Sequence, residues 1–183
     1  MDKAKTVSCP LANHFKLSTM QSPSTDKEKE EMKKIPYASA VGSLMYAMVC
    51  TRPDIAHTVG VMSQFLSNPE KKHWATMKWI FRYLRGASKI CLCFGDAKPV
   101  LAGYTDADMA GDVDLRKSTS SYLIIFTGGA VLWQSKLQKC VILCTTKAEF
   151  IAATKACKEL PWMKKFLNEL GFHQDRYELF CDS

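Results

Sequence analysis

Val100-Leu101-Ala102-Gly103-Tyr104-Thr105-Asp106-Ala107-Asp108-Met109-Ala110-Gly111-Asp112-Val113-Asp114 is where the chain changes character. An apolar run, Val100 to Thr105, leads straight into Asp106, Asp108, Asp112 and Asp114, four acids within nine residues. From here toward the C-terminus the apolar period is near two; toward the N-terminus it is near 3.6. The reading is therefore α/β, with helices first and a mixed sheet after.

On the C-terminal side, Ser121 to Phe126 reads as a strand that ends at Gly128-Gly129, a hairpin signal, and Ala130 to Ser135 as its return. Val141 to Leu143 is a short apolar piece. The spacing then predicts a long helix from Thr146 to Leu170, closed by Gly171, with a kink or break at Pro161, which lacks a backbone donor. Tyr177 to Cys181 is a last strand. On the N-terminal side, Ile90 to Phe94 reads as one more strand. Before it come three helical stripes: Val41, Leu44, Met45 and Met48; Ile55, Val59, Met62, Phe65 and Leu66; and a third running to Arg85, with Gly86 closing it. Pro53 and Asn68-Pro69 separate them. Ser18 to Lys34 carries four acids, four bases and few apolar groups, which predicts linker or frayed helix. The domain division is thus 1–36 as a linker or disordered lead, 37–89 as a helical module, and 90–183 as the sheet domain.

Composition narrows the class. At 183 residues and 47% hydrophobic content the chain has enough material for a real core. No apolar run approaches the roughly 20 residues that span a bilayer. The opening residues have no apolar signal segment, so the expected location is cytoplasmic or nuclear rather than secreted. Eight cysteines without a Cys-x-x-Cys pair argue for reduced thiols over zinc.

The net charge of +7 is unevenly spread: residues 1–99 hold 15 Lys+Arg against 8 Asp+Glu, whereas residues 100–183 hold 10 of each. A basic half points to a polyanion, most simply nucleic acid. Its densest stretch, Glu70 to Lys89, interleaves Lys71, Lys72, Lys78, Arg82 and Arg85 with Trp74, Trp79, Phe81 and Tyr83. Cations there suit phosphates, and plain solubility explains them equally well; the aromatics follow helical spacing and belong in the core.

Two further acids lie at element ends: Glu149 in the first turn of the long helix, and Asp182 after the last strand. Asp106, Glu149 and Asp182, if brought together, repel one another unless a cation joins them, and hard carboxylate oxygens suit Mg²⁺. Each has a plainer alternative. The aspartates fit a solvated turn, Glu149 fits a capping box with Thr146, and Asp182 fits an exposed end.

The same residues carry a family resemblance. Tyr104-Thr105-Asp106-Ala107-Asp108, Arg116-Lys117-Ser118-Thr119-Ser120, Gly128-Gly129-Ala130-Val131-Leu132-Trp133, Thr145-Thr146-Lys147-Ala148-Glu149-Phe150 and Tyr177 to Ser183 resemble the ribonuclease H region of copia-type LTR retrotransposon polyproteins, the plant versions above all. Tyr37 to Tyr46, Thr51-Arg52-Pro53-Asp54-Ile55 and Arg82-Tyr83-Leu84-Arg85-Gly86 resemble the segment just after the polymerase core. The resemblance implies a ribonuclease H-like sheet, truncated, with one long helix behind an N-terminal helical module. It implies hydrolysis of the RNA strand of RNA–DNA hybrids by two Mg²⁺ ions, with Asp106, Glu149 and Asp182 as ligands and a fourth acid downstream. The polymerase signature Tyr-x-Asp-Asp is absent. Lys147 replaces a frequent Glu and is expected to place a cation near the metals. Weak hydrolysis, a non-catalytic nucleic-acid-binding remnant, and a retrotransposon-derived fragment with no stable fold or activity are the expected alternatives.

Overall fold

In a computed structural model, residues 4–12, 14–23, 25–95 and 98–181 are described. They form two compact units, residues 1–91 and 92–183.

The first unit is helical. Helix α1 (Asp26–Lys33) lies in the stretch expected to be linker or frayed helix. A reciprocal cap starts it: Thr25 Oγ1 accepts from Glu28 N–H, and Glu28 Oε2 accepts from Thr25 N–H. Helices α2 (Tyr37–Cys50), α3 (Ala56–Ser63) and α4 (Lys71–Gly86) follow. Their apolar stripes meet in one core of Tyr37, Val41, Leu44, Ile55, Val59, Met62, Phe65, Met77 and Ile80. Tyr37 buries its ring and donates its hydroxyl to Met62 O at 3.0 Å, and burial raises that phenol's pKa. His73 is fully buried, stacks on Phe65 and accepts the Glu70 N–H at Nδ1, 2.9 Å away.

A polar clip joins the 3-10 turn Pro53–Ile55 to the end of α4. Arg52 forks onto Asp54 at 3.0 and 2.7 Å and donates to Ala87 O at 3.2 Å. Tyr83 donates its hydroxyl to Asp54 Oδ2 at 2.7 Å. Burial alone would raise the Asp54 carboxyl, but Arg52 and Tyr83 together outweigh it and hold the pKa below the usual carboxylate value. The motifs Thr51-Arg52-Pro53-Asp54 and Arg82-Tyr83-Leu84-Arg85 thus meet in space as one structural joint.

The second unit is a mixed sheet backed by one helix. Strands β1 (Ala102–Asp108), β2 (Thr119–Phe126), β3 (Gly129–Leu137) and β4 (Glu178–Cys181) lie in the order β3-β2-β1-β4. The first three are antiparallel neighbours, and β4 runs parallel to β1. Helix α5 (Thr145–Glu169) makes the crossover. Its Ala148, Ala152 and Ala156 are spaced four apart and buried, so the helix lies close on the sheet before Leu160, Met163 and Leu167 fill the core with Tyr122, Ile124 and Phe126. Gly103 admits that approach: a Cβ on it would stand 3.0 Å from Leu179 and 3.2 Å from Leu160.

Three expectations change. Pro161 neither breaks nor ends α5, which is continuous over its 25 residues; Leu160 and Met163 on either side of it are held in the core, and packing overrides the lost donor. Ile90 to Phe94 is not a strand; Gly95 N–H bonds to Thr127 O at the hairpin turn rather than to a ladder. The turn itself is Thr127-Gly128, both with positive φ (50° and 83°), one residue earlier than the Gly-Gly signal indicates. Gly129 opens β3 instead, where a Cβ would lie 2.5 Å from Cys93 O.

Candidate functional site

β1 carries Asp106 toward the end of the sheet. Alternation puts Gly103, Thr105 and Ala107 on the α5 side and Tyr104, Asp106 and Asp108 on the other. On that second face Tyr104 stacks on Phe180 of β4 at 5.1 Å, and Asp106 is exposed beside Ser121, its register partner. The pairing of β4 with β1 ends at Thr105↔Cys181. Just past it, the Ala107 N–H donates to Glu149 Oε1 at 3.2 Å. The Glu149 carboxylate therefore lies against the strand at the residue after Asp106. Its other oxygen, Oε2, is buried with no hydrogen-bond partner among the described residues.

That geometry answers the capping alternative. Helix α5 starts at Thr145 with Cys144 as its N-cap, so Thr146 lies inside the helix and Glu149 beyond the cap's reach. The acid serves β1, not its own helix. The other aspartates serve their loop. A Cβ on Gly111 would lie 2.0 Å from Asp108 Oδ2, so the Asp108 carboxylate folds over that glycine. Asp112 Oδ1 accepts the Asp114 N–H at 3.1 Å, an Asx turn. Ala110 and Arg116, at φ 53° and 54°, complete the reversal. Asp182 lies outside the described residues. Lys147 is exposed on the first turn of α5.

Sequence reasoning passes over Gln138. Only 2% exposed, it donates from Nε2 to Ser120 Oγ at 2.7 Å and to Ala148 O at 3.1 Å. Ser120 is the register partner of Ala107, and Ala148 precedes Glu149. One amide thus ties β2, next to Ala107, to the first turn of α5, next to Glu149. A Gln just after an alternating strand was the available signal. Lys136, Lys139 and Lys155 are also gathered in this formally neutral half: burial, then the charge of Lys136 and Lys139, pushes the Lys155 ammonium pKa down.

Asp106 and Glu149 offer hard oxygens of the kind that hold Mg²⁺, and the orphaned Oε2 fits a cation as its partner. Among the described residues no group of three or more His, Cys, Asp or Glu side chains converges.

The basic face of α4 is engaged within its own unit. Lys71 pairs with Glu31 of α1 at 2.7 Å, an exposed contact that lowers the Glu31 pKa and raises that of Lys71. Lys72 is exposed. Lys78 lies over the Trp74 ring at 5.8 Å, and Arg82 over Trp79 at 5.1 Å. Arg82 and Arg85 donate to main-chain carbonyls of residues 5 and 4. Trp74, Phe81 and Tyr83 pack on the core as their spacing indicates. Among the described residues no helix is long and apolar enough to cross a membrane.

A mixed four-stranded sheet with one crossover helix and carboxylates at a strand end defines an α/β domain of acid-bearing type. The chain is 64% identical over all 183 residues to the retrovirus-related Pol polyprotein of transposon TNT 1-94 from Nicotiana tabacum, of which it covers 14%. It is 36% identical over 186 aligned residues to the corresponding polyprotein of transposon RE1 from Arabidopsis thaliana, of which it covers 12%. It is also 50% identical over 135 residues, 72% of its length, to secreted RxLR effector protein 161 of Plasmopara viticola, of which it covers 94%. These similarities support a plant copia-type Pol origin for the chain, which spans 12–14% of the length of those polyproteins. No family model and no solved structure matches it.

Proposed function

We propose that this chain is the ribonuclease H portion of such a polyprotein, hydrolysing the RNA strand of RNA–DNA hybrids with Mg²⁺ held by Asp106, Glu149 and Asp182. The observation that carries the reading is Glu149: one oxygen is fixed on the strand beside Asp106, and the other is buried without a partner. Mg²⁺ bound there would activate a water and offset charge on the phosphoryl oxygens. The chain's own residues do the positioning. Ala107 N–H holds the Glu149 carboxylate on β1, Gln138 fixes the adjoining Ala148 carbonyl, and Asp106 is exposed on β1, where substrate has access. The Pol relatives give nucleic acid as the natural partner class, and the α4 cations Lys72, Lys78, Arg82 and Arg85 suit it.

A second reading, a non-catalytic nucleic-acid-binding remnant, is favoured by the α4 cations Lys72, Lys78, Arg82 and Arg85, which can meet phosphates without any metal site. One experiment separates them: single-turnover cleavage of a labelled RNA–DNA hybrid in Mg²⁺ by the full chain and by Asp106→Asn and Glu149→Gln. Cleavage by the parent and none by either variant supports the nuclease. Equal binding without cleavage by all three supports the remnant.

A further inference from the structure

Helix α4 presents Trp79, Arg82, Arg85 and Gly86 in succession along one face, and residues 4–9 run across it. Trp79 Nε1 donates to Cys9 O at 2.9 Å, Arg82 Nε to Lys5 O at 2.5 Å, and Arg85 Nη1 to Ala4 O at 2.5 Å. Gly86 lets the segment lie close: a Cβ there would stand 3.1 Å from Thr6 Cβ and 3.5 Å from Val7 O. Beyond the crossing, His14 and Phe15 pack edge-on against the Trp79 ring, each at 5.5 Å.

The chemistry of this strap is poorly matched to what it covers. It meets the guanidinium of Arg82 with a neutral carbonyl, and its own Lys5 adds a cation to a helix already carrying Lys78, Arg82 and Arg85. Arg82 takes part in none of the ion pairs among the described residues. A phosphate oxygen accepts from a guanidinium with full charge assistance, in a forked geometry that a peptide carbonyl cannot supply. At Arg82 the strap therefore occupies, by a weaker bond, a donor that a polyanion would use.

We propose that the Trp79–Arg82–Arg85 face is a binding surface for the phosphodiester backbone, closed in this state by residues 4–9, and that nucleic acid binds it by displacing that strap. This rests on the nucleic-acid reading above and adds to it a competitor built into the chain. Affinity is then reduced by the fraction of molecules in which the strap is closed; closure about 90% of the time weakens binding about tenfold.

The test uses the full chain. Gly86→Val places a branched side chain against Thr6 and Val7 O and should lift the strap without removing a cation. It should bind a fluorescent RNA–DNA hybrid about tenfold more tightly than the parent, with an unchanged salt slope, because the strap is displaced in both complexes. In the Gly86→Val background, Arg82→Gln with Arg85→Gln should lower the slope by about two. Limited trypsinolysis of the parent, read by mass spectrometry, should show cleavage after Lys5 accelerating when hybrid is added; this needs no variant and stands if Gly86→Val fails to fold. Hybrid binding that is indifferent to Gly86→Val, with cleavage at Lys5 unaltered by hybrid, overturns the strap and leaves the nucleic-acid reading intact. Absence of hybrid binding by both chains overturns both.

Discussion

Asp54→Ala tests whether the joint between the Pro53–Ile55 turn and α4 holds the helical unit together. The Arg52 and Asp54 side chains are 13% and 31% exposed. Asp54 accepts two bonds from Arg52 and one from Tyr83, all between 2.7 and 3.0 Å. Breaking a fully buried pair costs about 3–5 kcal/mol, since the surviving partner is stranded. Here Asp54 is nearly one third exposed, Arg52 retains Ala87 O, and water reaches part of the gap. The expected loss is therefore about 2–3 kcal/mol. Urea unfolding reports it when Trp133 and Trp162 are replaced by Phe, so that fluorescence comes from Trp74 and Trp79 in the helical unit. Arg52→Met combined with Asp54→Leu should recover much of the loss, because no unpaired charge remains. The pH dependence has a definite sign. The Asp54 carboxyl is held below its ordinary value, so its contribution is complete above about pH 4 and is lost as pH falls through the lowered native value. A loss under about 0.5 kcal/mol, or an advantage over Asp54→Asn that stays flat down to about pH 2, refutes the argument.

Pro161→Ala restores a backbone donor inside α5; after allowance for the greater freedom of the unfolded chain, it should stabilise the sheet unit by about 2 kcal/mol, read as a rise in its melting temperature. Glu149→Gln, measured without divalent cation, should leave stability unchanged or raise it, since the amide oxygen still accepts the Ala107 N–H and the buried charge is gone. Added Mg²⁺ should stabilise the parent and not this variant, as thermal denaturation with and without the ion will show.

Much of the fold is legible in the residues because burial enforces period. The stripes at Val41 and Leu44, at Val59 and Met62, and at Met77 and Ile80 are core in the structure, since a helix must cover the residues it repeats every turn. β2 alternates cleanly for the same reason on one face of a sheet. The failures lie where long-range contacts decide. Ile90 to Phe94 has strand composition, yet its path is set by the hairpin turn it packs against. Pro161 is a local breaker whose neighbours are anchored in the core. Residues 4–9 look like linker because their contacts are donors on α4, 70 or more residues away, which leave no periodic trace near the strap itself.

The site was legible as residue types but not as roles. Clustered aspartates are equivalent on paper, and local geometry separates them: Asp108 folds over Gly111, Asp112 caps the Asx turn, and Asp106 is exposed on β1 next to the residue whose N–H Glu149 accepts. Glu149 itself had two readings that differ by two residues in where α5 begins. A helix starting after Thr146 makes it a cap; one starting at Thr145 carries its carboxylate past the helix and onto β1. Helix starts are the least determined feature of a sequence, because several residues here are acceptable caps. What fixes the start is tertiary: Gln138 bonds the Ala148 carbonyl and Ser120 together, and the alanine stripe lets α5 approach the sheet. An acid placed there by two such constraints, with one oxygen buried and unmatched, is costly as a mere strand cap, a task its amide would do as well. That asymmetry between what holds Glu149 and what Glu149 leaves unsatisfied is the physical ground on which a cation is proposed for it.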